Sequence, residues 1–315
     1  MALRRGTISP MSEPWDVVSW SGCVHAHGSA ENIPAHIAAW RDGGPRQRLD
    51  SGDYLREANF AFGIWPATAP TATALAVLLE SGGLDEEQAQ LPLLFIDRIA
   101  HLCDLGSEAE ALRERCGQHA GDIAAWVTAY GAGDQDVRES MRSDESEALR
   151  LVHESSRLAC FDVIPRLVTA VLPHLDDERI RRRGWLAATL AALARHPLVE
   201  VHRPLLSERV EKMAQAQTDP HELATALLAL GDLGGTPRAW LEHPHIGVRW
   251  SAALATSLAA DGVAKRLREE LVRSPSAYFA SFGPGMAAPG QFMAPPYGRG
   301  FGEMLLERAR ACSTP

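Results

Sequence analysis

Lysine is almost missing from this 315-residue chain: Lys212 and Lys265 are the only two, and the formal net charge is −9. A chain of that sign lacks general attraction for nucleic acid or an anionic membrane surface, so any such contact must come from a local arginine patch. Cysteine is sparse as well. Cys23, Cys103, Cys116, Cys160 and Cys312 form an odd, scattered set without a C-x-x-C spacing, which argues for reduced thiols and against a disulfide framework. The longest apolar run, Trp185 to Ala194, is far below the roughly 18–20 residues a membrane span needs. The opening residues carry Arg4 and Arg5 with no apolar stretch behind them, so no secretory signal is expected and the cytoplasm is the expected compartment. Strand patterning is short too: Val17-Val18-Ser19-Trp20 and Cys23-Val24-His25 alternate too briefly to build a sheet.

What the chain does contain is helical periodicity, from about Ile33 to Val272. Ile180-Arg181 leads Gly184, Ala187 and Ala191 beside Leu186 and Leu190, and 68 positions later Val248-Arg249 leads Ala252, Ala255 and Ala259 beside Leu254 and Leu258. Offsets of four, seven and eleven place the small residues on one helical face, where a neighbouring helix can approach closely. The same template fits Ile33/Ile37/Trp40/Gly44, Phe95/Ile99/Leu102/Gly106, Ala148/Val152/Ser155/Ala159 and Leu223/Leu227/Leu230/Gly234. Breakers follow several stripes: Gly43-Gly44-Pro45, Gly106-Ser107, His196-Pro197 and Gly234-Gly235. Starts are marked by Asn32 before Pro34, Asp85 before Glu86 and Glu87, the acidic run Asp176 to Glu178, and Asp219 before Pro220. The expectation is an all-α chain, a degenerate α-solenoid of stacked antiparallel helix pairs over residues 1–280, with an irregular N-terminal segment at 1–31.

Residues 281–302 break that text with dense glycine and proline, yet carry Phe282, Met286, Phe292, Met293, Tyr297 and Phe301. An extended loop packed back on the helices, then a last helix from Glu303 to about Ala311, is expected for 281–315.

The Val-Arg stripes look like HEAT repeats. His25-Ala26-His27-Gly28-Ser29-Ala30-Glu31-Asn32-Ile33-Pro34 and Ile64-Trp65-Pro66-Ala67-Thr68-Ala69-Pro70 resemble the opening of actinobacterial HEAT-repeat proteins, over about the first 105 residues. That group usually carries tyrosine where this chain has His27. The resemblance implies an interaction scaffold and no particular chemistry.

Among chemical constellations, Cys23-x-His25-x-His27 with His36 is the metal candidate, because alternating ligands on an extended segment face one way and a helical histidine can complete a tetrahedron. The bland alternative is that His25 and His27 hydrogen-bond and pack where the segment meets the first helix; a ligand or acid–base pocket is the third. His153-Glu154 and His221-Glu222 begin like the zinc-protease helix motif, but Arg157 and Thr225 stand where its second histidine belongs. No G-x-S-x-G elbow or Walker loop occurs. Gly298-x-Gly300-x-Gly302 precedes a helix as an anion cradle would, without the strand that should come before it. Arg179, Arg181, Arg182 and Arg183 with Trp185 and Trp250 admit a nucleic-acid groove like that of HEAT-like DNA glycosylases, or repeat arginines pairing with nearby carboxylates.

The leading expectation is therefore a non-catalytic, cytoplasmic HEAT-like scaffold that binds a protein or peptide, with no cofactor and no membrane or nucleic-acid partner. Trp65, Phe292, Met293 and Tyr297 are its candidate contact residues. The alternative is an enzyme or small-molecule-binding protein that uses His25 and His27 under a lid formed by 281–302.

Overall fold

The structure, a computed structural model, describes residues 15, 18–140, 146–178, 180–283 and 301–312. It is predominantly helical, at 76% helix, as the 3.6-residue periodicity requires. The chain divides into two compact units, one of residues 1–92 and 110–160 and the other of 93–109 and 161–315. Of the expected tail, the described residues 281–283 and 301–312 belong to the second of these.

The first unit opens with a short antiparallel hairpin, β1 (Val24–His25) and β2 (Gly28–Ser29), pairing Val24 with Ser29 and His25 with Gly28. After it come α1 (Ile33–Asp42), α2 (Pro45–Phe60), α3 (Thr68–Glu80), the start of α4 (Glu86–Leu102), α5 (Ala109–Gln118), α6 (Ala120–Ala132), α7 (Gln135–Ser140) and the start of α8 (Glu147–Val171). α1 buries Ile33, Ile37 and Trp40, the stripe read from the sequence. α4 begins as its acidic start signal predicts, with Asp85 and Gln88 exchanging side-chain-to-backbone hydrogen bonds of 2.7 and 2.9 Å in a reciprocal cap. The core gathers Val24, Trp65, Trp126, Tyr130 and Val152.

The second unit contains the remainder of α4 and α8, then α9 (Arg183–Leu193), α10 (Pro197–Glu200), α11 (Arg203–Ala216), α12 (Pro220–Asp232), α13 (Ile246–Ala253), α14 (Gly262–Arg273), α15 (Pro275–Ala280) and α16 (Phe301–Ala311). α9 is buried from Gly184 through Leu193, so it is apolar on every side. It packs on α12, α12 on α13, α13 on α14 and α14 on α16. Thr189 on α9 donates a 2.7 Å hydrogen bond to the buried carboxylate of Asp97 on α4. The last helix lies where the sequence placed it.

The helix running through Glu147–Asp176 is long and apolar enough to cross a membrane by length and composition, although charged residues interrupt it and no single run marks it in the sequence. Half of its most apolar window is buried inside the protein, as in a core helix.

Two sequence expectations change here. The second stripe is not one helix: α13 stops at Ala253, Ala255 is extended, and Thr256–Leu258 is a separate turn of 3-10 helix. Arg268, fully buried on α14, donates its guanidinium to the carbonyls of Ala253, Leu258 and Ala259 and so supports the interruption. The acidic run at 176–178 likewise does not cap a helix, because α9 starts only at Arg183 and Asp176 instead pairs with Arg209. The amide of Gly184 in the first turn of α9 donates 2.8 Å to the side chain of Glu222, reaching across from α12.

That contact explains the glycine. A Cβ on residue 184 would sit 2.2 Å from the carbonyl oxygen of Glu222, closer than any side chain tolerates. Gly184→Ala should therefore destabilise the protein by about 1–3 kcal/mol, the range for overpacking a tight contact, read by chemical denaturation. Ala187→Gly on the same stripe makes no such clash and should cost about 2 kcal/mol, about half from helix propensity and half from the lost buried methyl.

Candidate functional site

The residues singled out in the sequence do come together, but as a hydrogen-bonded clasp. β1 delivers His25, the turn of the hairpin delivers His27, α1 delivers His36, and α2 supplies Tyr54, around whose ring the three histidines gather. His36 stacks on it at 3.8 Å, and His25 and His27 lie with ring centroids 5.8 Å away.

The protons can be placed. The His27 backbone N–H donates 3.0 Å to His25 Nδ1, which makes Nδ1 an acceptor and leaves the single proton of a neutral ring on Nε2. Nε2–H then donates 3.0 Å to Asn32 Oδ1, with the Tyr54 hydroxyl 3.2 Å away, and Asn32 Nδ2 donates 2.6 Å to that hydroxyl. Both nitrogens of His25 are committed within the protein, and the residue is 1% exposed. Asn32, the cap that the sequence assigns to α1, makes no cap hydrogen bond because its amide is spent on His25 and Tyr54.

The other candidates scatter in role. Cys23 donates to the Ser19 carbonyl, with its thiol pKa pushed up by burial, and no group of three or more metal-ligating side chains is assembled among the described residues. His27 is exposed, its Nε2 lying 3.8 Å from Glu57. Trp65 is fully buried, stacked on Tyr130 and edge-on to His153, so it belongs to the core and presents no contact surface. Phe292, Met293 and Tyr297 lie outside the described residues, as do Arg179 and most of the proposed lid. Its first residues are described: Phe282 packs on His221 and His245 against Gly247. His153-Glu154 is likewise structural, since His153 Nδ1 donates 2.8 Å to the Ile64 carbonyl. Arg249 donates to the carbonyls of His243 and Pro244, and pairs with no carboxylate among the described residues.

Tyr54, Tyr130 and Glu57, which complete this region, carry no local sequence signal. Tyr54 is 29 residues from His25 and meets it only through the fold. Comparison with family models, with curated proteins and with solved structures returns no match. The HEAT-like resemblance therefore rests on the residues quoted for it.

Burial lowers the pKa of His25, and the neighbouring His27 and His36 lower it further, against the opposing bond to Asn32. Burial also lowers His36 and His153. Above the ordinary imidazole value of about 6.5, both folded and unfolded chains hold these rings neutral and nothing is lost. Below it the unfolded chain takes up protons first, so stability falls with pH until the depressed folded values are reached and then levels. The slope contributed by His25 approaches about 1.4 kcal/mol per pH unit in that window. Denaturant midpoints from pH 8 to pH 5 should show this decline, and His25→Ala should flatten it while costing about 1–3 kcal/mol at pH 8 through the unpaired Asn32 and His27 groups. A flat profile in the parent protein would contradict the proton assignment.

Proposed function

We propose that this chain is a non-catalytic binding protein, a HEAT-like helical scaffold that recognises a protein or peptide in a reducing compartment. The observation that carries the reading is a run of apolar side chains held out to solvent at the α10–α11 corner. Leu198 is 70% exposed, Val201 73% and Leu205 48%, whereas the neighbouring Val199 and Leu206 are buried. The buried partners anchor the corner and leave the other three facing outward. Pro197 and Pro204 are exposed beside them. Apolar side chains gathered in this way mark interaction surfaces, while singly scattered ones do not.

Stacked helix pairs in the second unit are supported by the succession of contacts from α9 to α12, α13 and α14. The five cysteines are free thiols, in keeping with a reducing compartment. The enzymatic alternative draws no support from His25, because a general base needs a ring nitrogen open to substrate and His25 has none.

Affinity capture from the native host with the intact chain should retain a stoichiometric polypeptide. The triple variant Leu198→Asp, Val201→Asp, Leu205→Asp should weaken that capture about tenfold or more with an unchanged melting temperature. Recovery of no such polypeptide, together with measurable turnover of a small molecule, would overturn the reading.

A further inference from the structure

We infer that two adjoining turns of the first unit, ending in Phe62 and His27, form a separate contact surface for a protein that offers an apolar pocket with a cationic rim. The inference rests on the binding-protein reading above and adds to it a site and a partner chemistry.

Phe62 is anomalous twice. Among the described residues it is the sole non-glycine with a positive φ, 60°, a conformation in which an L side chain crowds its own backbone. It is also 89% exposed, and so does nothing for the core in return. Glycine or asparagine would suit the turn better on both counts.

The surrounding structure leaves this turn no freedom. Trp65 Nε1 donates 2.7 Å to the carbonyl of Ala61, the residue just before Phe62. His153 holds the carbonyl of Ile64, two residues after it, and its ring fills the space where a Cβ on Gly63 would stand, 2.6 Å away. The second turn is held by the same means. Tyr130, stacked on Trp65 with centroids 5.5 Å apart, donates its hydroxyl 2.7 Å to the carbonyl of Ala26, the residue just before His27. One buried aromatic stack therefore fixes both turns by the carbonyl that precedes each exposed tip. The Ala26 amide donates 2.8 Å to the carbonyl of Ala58 at the end of α2, which sets the hairpin turn beside the helix end that leads to Phe62. Strain that buried groups over-determine and that presents an aromatic ring to solvent is the arrangement of a preorganised anchor.

Charge selects the partner. Glu57 is 66% exposed on its side chain and lies 3.8 Å from His27, which places a solvent-facing carboxylate beside the hairpin turn. The chain as a whole carries −9. Both favour a cationic counterpart around the pocket that receives the ring.

A photo-crosslinking benzoyl-phenylalanine placed at residue 62 of the full chain, and separately at 198, tests this in the native host with mass-spectrometric identification. Expected is one polypeptide other than this chain captured from position 62. Its yield should fall with added salt and drop at least tenfold in the Glu57→Lys background. Phe62→Gly should raise the melting temperature while abolishing recovery of that polypeptide by affinity capture. Crosslinks only between copies of this chain, a salt-insensitive crosslink, or a Phe62→Gly variant that is destabilised or keeps full capture would each overturn the inference. A partner captured from 198 but not from 62 would remove this surface and leave the binding reading standing; capture from neither would remove both.

Discussion

An α-helix leaves its first amides and last carbonyls without partners of its own, and in this chain many of those ends are answered by side chains from elsewhere in the same unit. Glu222 of α12 meets the first turn of α9, and Arg268 of α14 takes the carbonyls after α13. Arg203 donates to the last carbonyl of α12, Asp232. In the first unit, Trp40 and Gln88 donate reciprocally between the end of α1 and the start of α4, to Gln88 and Arg41 carbonyls at 3.0 and 2.7 Å. Such capping makes the ends of these helices depend on the arrival of another helix. The degenerate spacing of the repeats is compatible with this, because a helix need not end where its own sequence would stop it.

This constraint also accounts for polar residues that look chemical in one dimension. Glu222 is half of a zinc-like dipeptide and in space a cap; burial raises its pKa, while the amides of Gly184 and Trp185 oppose that shift. His153 is half of another and secures a carbonyl in a turn. His25, the centre of a metal-like spacing, has its acceptor nitrogen on a backbone amide and its donor nitrogen on Asn32. Buried polar groups must find partners, and here the nearest open ends of secondary structure supply them.

Helical class, the core stripe of α1, the Asp85 and Asp219 caps and the final helix are legible from the sequence because each depends on residues within about one turn of one another. Gly234, a stop signal after α12, has φ 85°, the left-handed conformation that ends helices. What the sequence hides depends on distance. The break in the second stripe needs Arg268, 15 residues beyond the carbonyl it holds at Ala253, and the fate of Asp176 needs Arg209, 33 residues on. The clasp is half visible: its histidines stand together in the sequence, but Tyr54, which organises them, does not. Phe62 leaves no mark in the sequence because an exposed aromatic in a turn has no periodicity and its backbone angle is set by Trp65 and His153.

Both compact units are discontinuous, and the hydrogen bond between Asp97 and Thr189 spans 92 residues. On the ribosome, residues 93–109 emerge long before the segment they are grouped with, whereas both segments of the first unit are complete once residue 160 has been made. The first unit can therefore close during synthesis before the segment that carries Thr189, the partner of Asp97 on α4, has been made. Through that interval Asp97 lacks Thr189, so the tie between α4 and α9 forms late in synthesis.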